Sequence, residues 1–555
     1  MMPRILICVF VTLALSTITA ADQNLELAVP FTNNMILQRQ VDAPVWGFDA
    51  PGAKVIVEFA GQKKTAVADE YGDWMVKLSP LTASHEERSL KVTNDRNESI
   101  VIQGVLVGEV WFSSGQSNMV WVAGKSMCSQ LARTIASEEE DSPIREINIQ
   151  TESALYPQDW AISEEGWKKS EQAGGFSALS LSFANELYKE LGVPIGILLS
   201  AHSNTRIEAF TQRQAIEAHP KLEADAKLMR AADPLTAQGL AAYRQYEADI
   251  LAWQDDAGAA AFVAARIPNR PRLPGIAGMW RGPSQFFNGK IHPVIPYAVR
   301  GAIWCQGTSN SGDGRIYAAR MEALAGGWRD AWGMPDMPFY FTQMQSYGAP
   351  GPDDVGFADI RQAQHLFFIN NRENVGMVVQ FDVNADNPGG IHYSNKLHPG
   401  MRMARWALAK QYGKDIAYTG PIYSGHTIEG DKVTVAFEKE SLFGGLMVGS
   451  KGSIREAREP GKYVEPARPH PARSSTTSAS VAPTRSGTRP RQRSSATPSS
   501  STRRTCPSRS ASNMRTTPRR KGRTSTTRPG SRRRRSRRST VSSSLRKTTP
   551  KSPQR

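Results

Sequence analysis

The run Val105-Leu106-Val107-Gly108-Glu109-Val110-Trp111-Phe112 is apolar and β-rich, and it breaks at once into Ser113-Ser114-Gly115-Gln116-Ser117-Asn118-Met119. A buried strand that feeds a small-residue turn with a hydroxyl at its tip is how an α/β fold presents a nucleophile. The strand fixes the turn, the small neighbours admit a substrate, and the next helix aims backbone N–H groups at developing negative charge. Taken singly, a Ser in a Gln-Ser-Asn turn is an ordinary turn residue. Two later segments change its meaning.

The first is Ala302-Ile303-Trp304-Cys305-Gln306-Gly307-Thr308-Ser309-Asn310, a strand running into a Gly turn rich in amide and hydroxyl side chains. The second is Ile391-His392-Tyr393-Ser394-Asn395-Lys396, followed by a helical apolar stripe of Met403, Trp406, Ala407, Leu408 and Tyr412. A Ser, then amide donors, then a His at the mouth of a late helix is the inventory of acyl transfer. Ser117 supplies the nucleophile and His392 the general base. Gln306, Gly307 and Asn310 supply candidate oxyanion donors.

With these blocks in this order, the chain resembles the sialate O-acetylesterase group of the SGNH hydrolase superfamily. Members of that group carry Gly-Gln-Ser-Asn-Met, then Trp-Tyr-Gln-Gly-Glu-Ser-Asn, then Ile-His-Pro-x-Asn-Lys. This chain has Gly115-Gln116-Ser117-Asn118-Met119, Trp304-Cys305-Gln306-Gly307-Thr308-Ser309-Asn310 and Ile391-His392-Tyr393-Ser394-Asn395-Lys396. The resemblance covers roughly residues 25–465. It implies a three-layer parallel sheet of the SGNH type and a carboxylic ester hydrolase. The implied substrate is an O-acetylated sugar or glycan: O-acetylated sialic acid, or alternatively acetyl-xylan or another acetylated polysaccharide.

The departures from the family pattern are specific. Thr308 stands where members have Glu, and Tyr393 where they have Pro. Ser203-Asn204-Thr205 replaces a Gly-Gly-Thr turn that supplies an oxyanion N–H. A backbone N–H survives any substitution except proline, and Asn is the next residue after Gly to tolerate φ > 0. Asn204 therefore suits the turn, and Ser203 less obviously. SGNH enzymes commonly place an Asp three residues before the His, where this chain has Gly389. The nearest carboxylates are Asp382 and Asp386. Either of them, or a carbonyl of the Pro388-Gly389-Gly390 loop, is left to orient the imidazole, and a Ser–His dyad oriented by a carbonyl is chemically sufficient. His398-Pro399 also shows the family's His-Pro pair, but its distance to Asn395-Lys396 is wrong, so the base is assigned to His392. Thr308, Gly389 and the altered glycine turn favour one alternative, a degenerate carbohydrate-binding homologue without turnover.

The two ends differ from the middle. Arg4, the apolar core Ile5–Leu15 and the small residues Ser16–Ala21 read as a secretory signal over 1–21, which predicts export to a secreted or periplasmic location. No later segment is long and apolar enough to span a membrane. The whole chain carries +16, but residues 466–555 hold 25 Lys plus Arg and no Asp or Glu, which leaves −9 for residues 1–465. The tail is Ser, Thr, Pro and Arg. It cannot bury enough surface to offset its ordering entropy, which predicts disorder. Two origins stay open: GC-rich coding sequence read out of frame, or a polybasic arm for an acidic surface such as nucleic acid. The second is awkward for an exported esterase, so no nucleic-acid partner is expected. Cys128 and Cys305 read as small buried apolar residues rather than halves of a bridge.

Between the ends, residues 22–104 read as a small β-sandwich, with strand runs at Val45–Phe48, Lys54–Ala60 and Asp73–Leu78. Residues 105–412 alternate strands with helices, which predicts a parallel sheet with helices on both faces and the site at the carboxyl ends of its strands. Within this region residues 211–280 read as a helical insertion that caps the site. Residues 413–465 read as a partial β unit, with a strand pair over Thr427–Phe437. His202, His292, His392 and His398 show no metal-ligand spacing, and no phosphate-binding Gly loop appears, so neither metal nor cofactor is expected. Trp111, Trp121, Trp304 and Tyr393 suit sugar stacking and a protein core equally.

Overall fold

A computed structural model describes residues 24–137, 142–150, 153–262, 269–272, 282–347, 355–384, 390–446, 449–450 and 468–469. The signal segment, Asp386, Gly389 and almost all of the basic tail lie outside them.

Period-2 alternation builds the N-terminal unit. β1 (Glu26–Leu27), β3 (Ala43–Phe48) and β6 (Asp73–Leu78) make one antiparallel sheet. β2 (Ile36–Gln38), β4 (Lys54–Phe59), β5 (Gln62–Val67) and β7 (Ser84–Asn94) join the second through β8 (Ser99–Gly115). β4 turns Val55, Val57 and Phe59 inward, and β6 turns Trp74, Val76 and Leu78 inward. These side chains share one core with the catalytic unit.

β8 is 17 residues long and belongs to both units. Its first part pairs antiparallel with β7, while its last part pairs in parallel with β11 (Ile195–Ala201) and β12 (Gly301–Cys305). A boundary drawn at 104/105 therefore falls inside a strand. The large sheet continues through β9 (Ile144–Asn148) and β10 (Trp167–Lys168) on one side and β13 (Phe339–Thr342) and β14 (Val375–Val378) on the other. Its order is β10-β9-β11-β8-β12-β13-β14. Only β10, at the edge, runs antiparallel along this path.

The helices are α1 (Ser117–Val120), α2 (Ser129–Ala136), α3 (Ala178–Leu191), α4 (Arg213–Ala218), α5 (Glu223–Ala232), α6 (Ala237–Phe262), α7 (Ile316–Trp332), α8 (Val355–Asn370) and α9 (Leu397–Lys410). Successive residues of β8 show which face each covers. Trp111 meets Phe183 of α3 and stacks with Tyr340, which in turn meets Trp406 of α9. Phe112 points the other way, to Trp328 and Trp332 of α7, and on that side Phe339 and Phe341 meet Phe367 of α8. The expected parallel sheet with helices on both faces is what forms. Helix ends follow local chemistry: Ser177 caps α3 by accepting from Ser180 N–H, and α3 and α7 end on Gly192 and Gly333 at φ 61° and 64°.

Within the insertion, α4 and α5 seat on α7 through a small core of their own, in which Ile216, Leu222 and Met229 meet Ala319 and Ala323. After α9 the chain forms a hairpin, β15 (Tyr423–Glu429) and β16 (Lys432–Phe437), and a short pair, β17 (Gly449–Ser450) with β18 (Arg468–Pro469). Among the described residues, no helix is long and apolar enough to cross a membrane. Nor does any group of three His, Cys, Asp or Glu side chains gather to hold a metal.

Where the two units meet, Glu109 of β8 is fully buried. It accepts from Arg39 at 2.6 Å, Arg300 at 2.9 Å and Gln38 at 3.0 Å. Burial pushes this carboxyl upward, but Arg300, Gln38 and Arg39 outweigh it and hold it below the usual carboxylate range.

Candidate active site

The nucleophile turn begins where β8 ends. Gly115 has φ 142°, and a Cβ there would lie 2.2 Å from the Cys305 carbonyl oxygen. That oxygen accepts from Gln116 N–H at 3.0 Å. The close approach of the two strand ends is what requires glycine. Ser117 is the first residue of α1, so its N–H has no intrahelical acceptor.

His392 Nε2 lies 2.8 Å from Ser117 Oγ. Burial and then the nearby Lys396 charge hold the imidazole below its ordinary range, which favours the neutral form a general base requires. Trp121, on the turn after α1, lays its ring 5.2 Å from the imidazole at a tilt of 32°. His398 sits one turn away, bonded at its Nδ1 to Asn395 at 3.0 Å.

Asn118 reaches from the residue after the nucleophile to the base loop. Its Nδ2 donates to Ile391 O at 3.3 Å, and Gln345 Nε2 donates to the same oxygen at 2.9 Å. Its Oδ1 accepts from Lys396 Nζ at 2.7 Å. Lys396 is wholly buried and donates also to Tyr393 O. Its ammonium stands 3.3 Å from the centre of the Tyr393 ring. Burial drives this lysine down to about 7, a shift that Cys305 and Cys128 only partly oppose.

The candidate third groups are differently placed. Asp382 takes two bonds from Arg402, at 2.8 and 2.7 Å. Among the described residues, no hydrogen bond joins Asp382 to His392. Asp386 and the Pro388-Gly389 part of the loop lie outside the described residues.

The amide donors expected from the second block have other work. Gln306 Nε2 donates to Thr205 O at 3.0 Å and to Asn310 Oδ1 at 2.7 Å, while its Oε1 accepts from Tyr317 OH. Asn310 Nδ2 donates to Glu208 at 2.8 Å and Asp313 at 2.6 Å, and its Oδ1 also accepts from Ile207 N–H. Gly307 N–H is aimed at Gln116 Oε1, 3.4 Å away. The assignments of the Gln306 and Asn310 side chains as oxyanion donors are therefore corrected. Both side chains are buried braces in a network with Glu208, Asp313, Arg206 and Arg320, and a donor already satisfied inside such a network is not available to an oxyanion. The braces tie the 307–313 turn to the 203–210 segment.

That segment leaves β11 beside the nucleophile. Ala201 is in register with Gly115, and His202 N–H donates to Gly115 O at 3.0 Å. Ser203 and Asn204 form the exposed turn that follows, with Asn204 at φ 52°, the left-handed conformation in which Asn can replace Gly.

Of the four aromatics that suited either stacking or core, Trp111, Trp304 and Tyr393 are buried and belong to the core. Trp121 is half-exposed beside His392. Cys128 and Cys305 are free and buried, and burial pushes the Cys128 thiol up to about 12. Sequence reasoning did not single out Gln345, nor assign a role to Asn118 or Lys396. The signal was present in part, since both residues belong to the quoted blocks.

No family model matches the chain. The mouse sialate O-acetylesterase is 28% identical over 429 residues, which cover 70% of this chain and 74% of that enzyme. The human sialate O-acetylesterase is 27% identical over 454 residues, covering 74% and 76%. A crystal structure of a carbohydrate acetylesterase from Xanthomonas citri matches with a TM-score of 0.59 at 25% identity, covering 77% of this chain and 85% of that one. The chain is an esterase related to the sialate O-acetylesterases. Its fold is of the SGNH hydrolase type.

Proposed function

We propose that this esterase removes O-acetyl groups from carbohydrate, with O-acetylated sialic acid as substrate, and that Ser117 and His392 carry the reaction. The observation that bears the reading is the 2.8 Å contact between His392 Nε2 and Ser117 Oγ. The relatives named for sialate O-acetylesterase and carbohydrate acetylesterase activity support the acetyl-sugar class.

Ser117 Oγ attacks the acetyl carbonyl carbon as His392 Nε2 takes the hydroxyl proton. The C–O bond to the sugar then breaks, and the same proton passes to the departing sugar oxygen. Water, deprotonated by His392, attacks the acetyl-enzyme and releases acetate, which restores the Ser117 hydroxyl. The oxyanion is held by the N–H of Ser117 and by the Ser203-Asn204 turn. Each such donor contributes about 10²–10³ in rate. Trp121 offers an apolar face to the sugar beside the base.

The apolar leader Ile5–Leu15 supports export of the enzyme. A catalytically silent carbohydrate-binding homologue is disfavoured by the intact Ser117–His392 contact. The test is hydrolysis of an aryl acetate, of O-acetylated sialic acid and of acetylated xylan by the purified chain and by Ser117→Ala. Turnover of the sialic acid ester above that of xylan supports the reading. Xylan preference reassigns the substrate, and no turnover of any ester sinks it.

A further inference from the structure

The two peptide carbonyls that flank His392 are each held by a buried side chain. Ile391 O accepts from Asn118 Nδ2 at 3.3 Å and from Gln345 Nε2 at 2.9 Å. Tyr393 O accepts from Lys396 Nζ, and the same ammonium donates to Asn118 Oδ1 at 2.7 Å. Asn118 is covalently next to the nucleophile, so the bonds close a loop: Ser117, Asn118, Ile391, His392, Tyr393, Lys396 and back to Asn118.

We propose that Lys396 and Asn118 are positioning residues that clamp the backbone on both sides of His392 and hold the imidazole at Ser117. The proposal rests on the esterase reading above and deepens it. It assigns a task to a lysine that is otherwise hard to explain. Lys396 is wholly buried, and among the described residues no carboxylate pairs with it. Its neighbours are a neutral amide, a peptide carbonyl, the Tyr393 ring at 3.3 Å and the Trp121 ring at 5.9 Å. A buried cation without a counter-ion is costly, and an apolar residue of similar volume would usually serve packing as well or better. What methionine could not do is donate to two acceptors on different loops at once.

The clamp suits a site in which Asp382, a candidate for orienting the imidazole, is engaged by Arg402. Among the described residues no carboxylate reaches the imidazole, and the clamp fixes the ring through its own main chain. Electrostatics act in the same direction. The described titratable groups that face the pair are Cys128, Cys305 and Tyr393, all buried, and Lys396 is the nearby charge that depresses His392.

The experiment compares the full chain with Lys396→Met, Asn118→Ala and the double variant. It reads aryl acetate kinetics against pH, thermal stability, and the His392 titration by NMR assigned with His392→Gln. Lys396→Met should lower kcat about 10²-fold, the scale on which small misplacements act. KM should stay within a few-fold, and the melting temperature should be unchanged or raised. The acid limb of the profile and the His392 titration should both move to higher pH. The double variant should be little worse than the poorer single one. A Lys396→Met enzyme with wild-type kcat and pH profile overturns the proposal. So does a loss of activity that only tracks loss of folded protein while His392 titrates as before. If Ser117→Ala instead hydrolyses the ester like wild type, it is the esterase reading that fails, and the His392 titration still decides the clamp.

Discussion

Ser117 Oγ and His392 Nε2 meet at 2.8 Å across a sequence separation of 275 residues. The first stands on the turn after the central strand β8, the second on the loop before α9. The nucleophile turn leaves the sheet where the carboxyl ends of β8, β11 and β12 converge, at Gly115, Ala201 and Cys305.

Ser117→Ala should abolish esterase activity, leaving only the residual rate that binding and oxyanion donors give. Ser114→Ala and Ser309→Ala should keep much of it. Ser114 Oγ donates to Ser200 O inside the sheet, and Ser309 contributes its backbone N–H to Gln116 at 3.2 Å. Steady-state kinetics on an aryl acetate check all three, and a Ser117→Ala enzyme with wild-type kcat would refute the mechanism.

His392→Ala should match Ser117→Ala, and the double variant should be no worse, because a nucleophile and its base act as one unit. His398→Ala should be mild. Since burial and Lys396 lower the His392 titration, the acid limb of kcat/KM should fall below the ordinary histidine range near pH 6.5. The neutral imidazole is the active form, so activity is lost as pH drops through that lowered value. A limb at or above 6.5 would count against the assignment.

Asp382→Asn should leave measurable activity, with kcat lowered far less than by His392→Ala. The carboxylate serves Arg402, and its loss should show mainly as lower thermal stability. Equal losses from Asp382→Asn and His392→Ala would show that the carboxylate orients the base.

Gly115→Ala should be inactive or poorly folded. The new Cβ would be driven onto the Cys305 carbonyl at 2.2 Å, in a φ region that side chains rarely adopt. Circular dichroism and kinetics on the soluble fraction measure both effects, and a fully active Gly115→Ala enzyme would show that the strand ends can part.

Glu109→Ala should destabilise the fold by roughly 3–5 kcal/mol, since it strands Arg39 and Arg300 around an emptied site. The carboxyl is held below its usual range, so its contribution is present above the unfolded-state pKa and fades as pH falls through the folded value. Denaturant titration at neutral and acid pH checks this: the wild-type advantage over Glu109→Ala should shrink on acidification.

Much of this was legible in the sequence because the decisive features are local. Strand runs that break at Gly115 and at Gly307 announce parallel strand ends. Asn204 was expected at positive φ from its place in a glycine turn, and it adopts φ 52°. The partners of Gln306 and Asn310 were not legible. Their amides look like donors in a turn, and only tertiary structure brings Thr205, Glu208 and Asp313 against them. Lys396 was hidden for the same reason, as nothing in an Asn-Lys pair predicts an ammonium buried under a tyrosine ring.

The unbroken course of β8 bears on how this molecule comes apart. One strand runs from the antiparallel pairing with β7 into the parallel pairing with β11 and β12 and delivers the chain to Ser117. The N-terminal sheet is therefore not a detachable module. Peeling it away would pull on the middle strand of the catalytic sheet, so both halves should melt in one transition. A protein started at residue 105 would keep the stretch that leads to its nucleophile but lose Ser99–Gly104, which pair with β7, so excision, swapping or fusion at that point should cost the central strand its support.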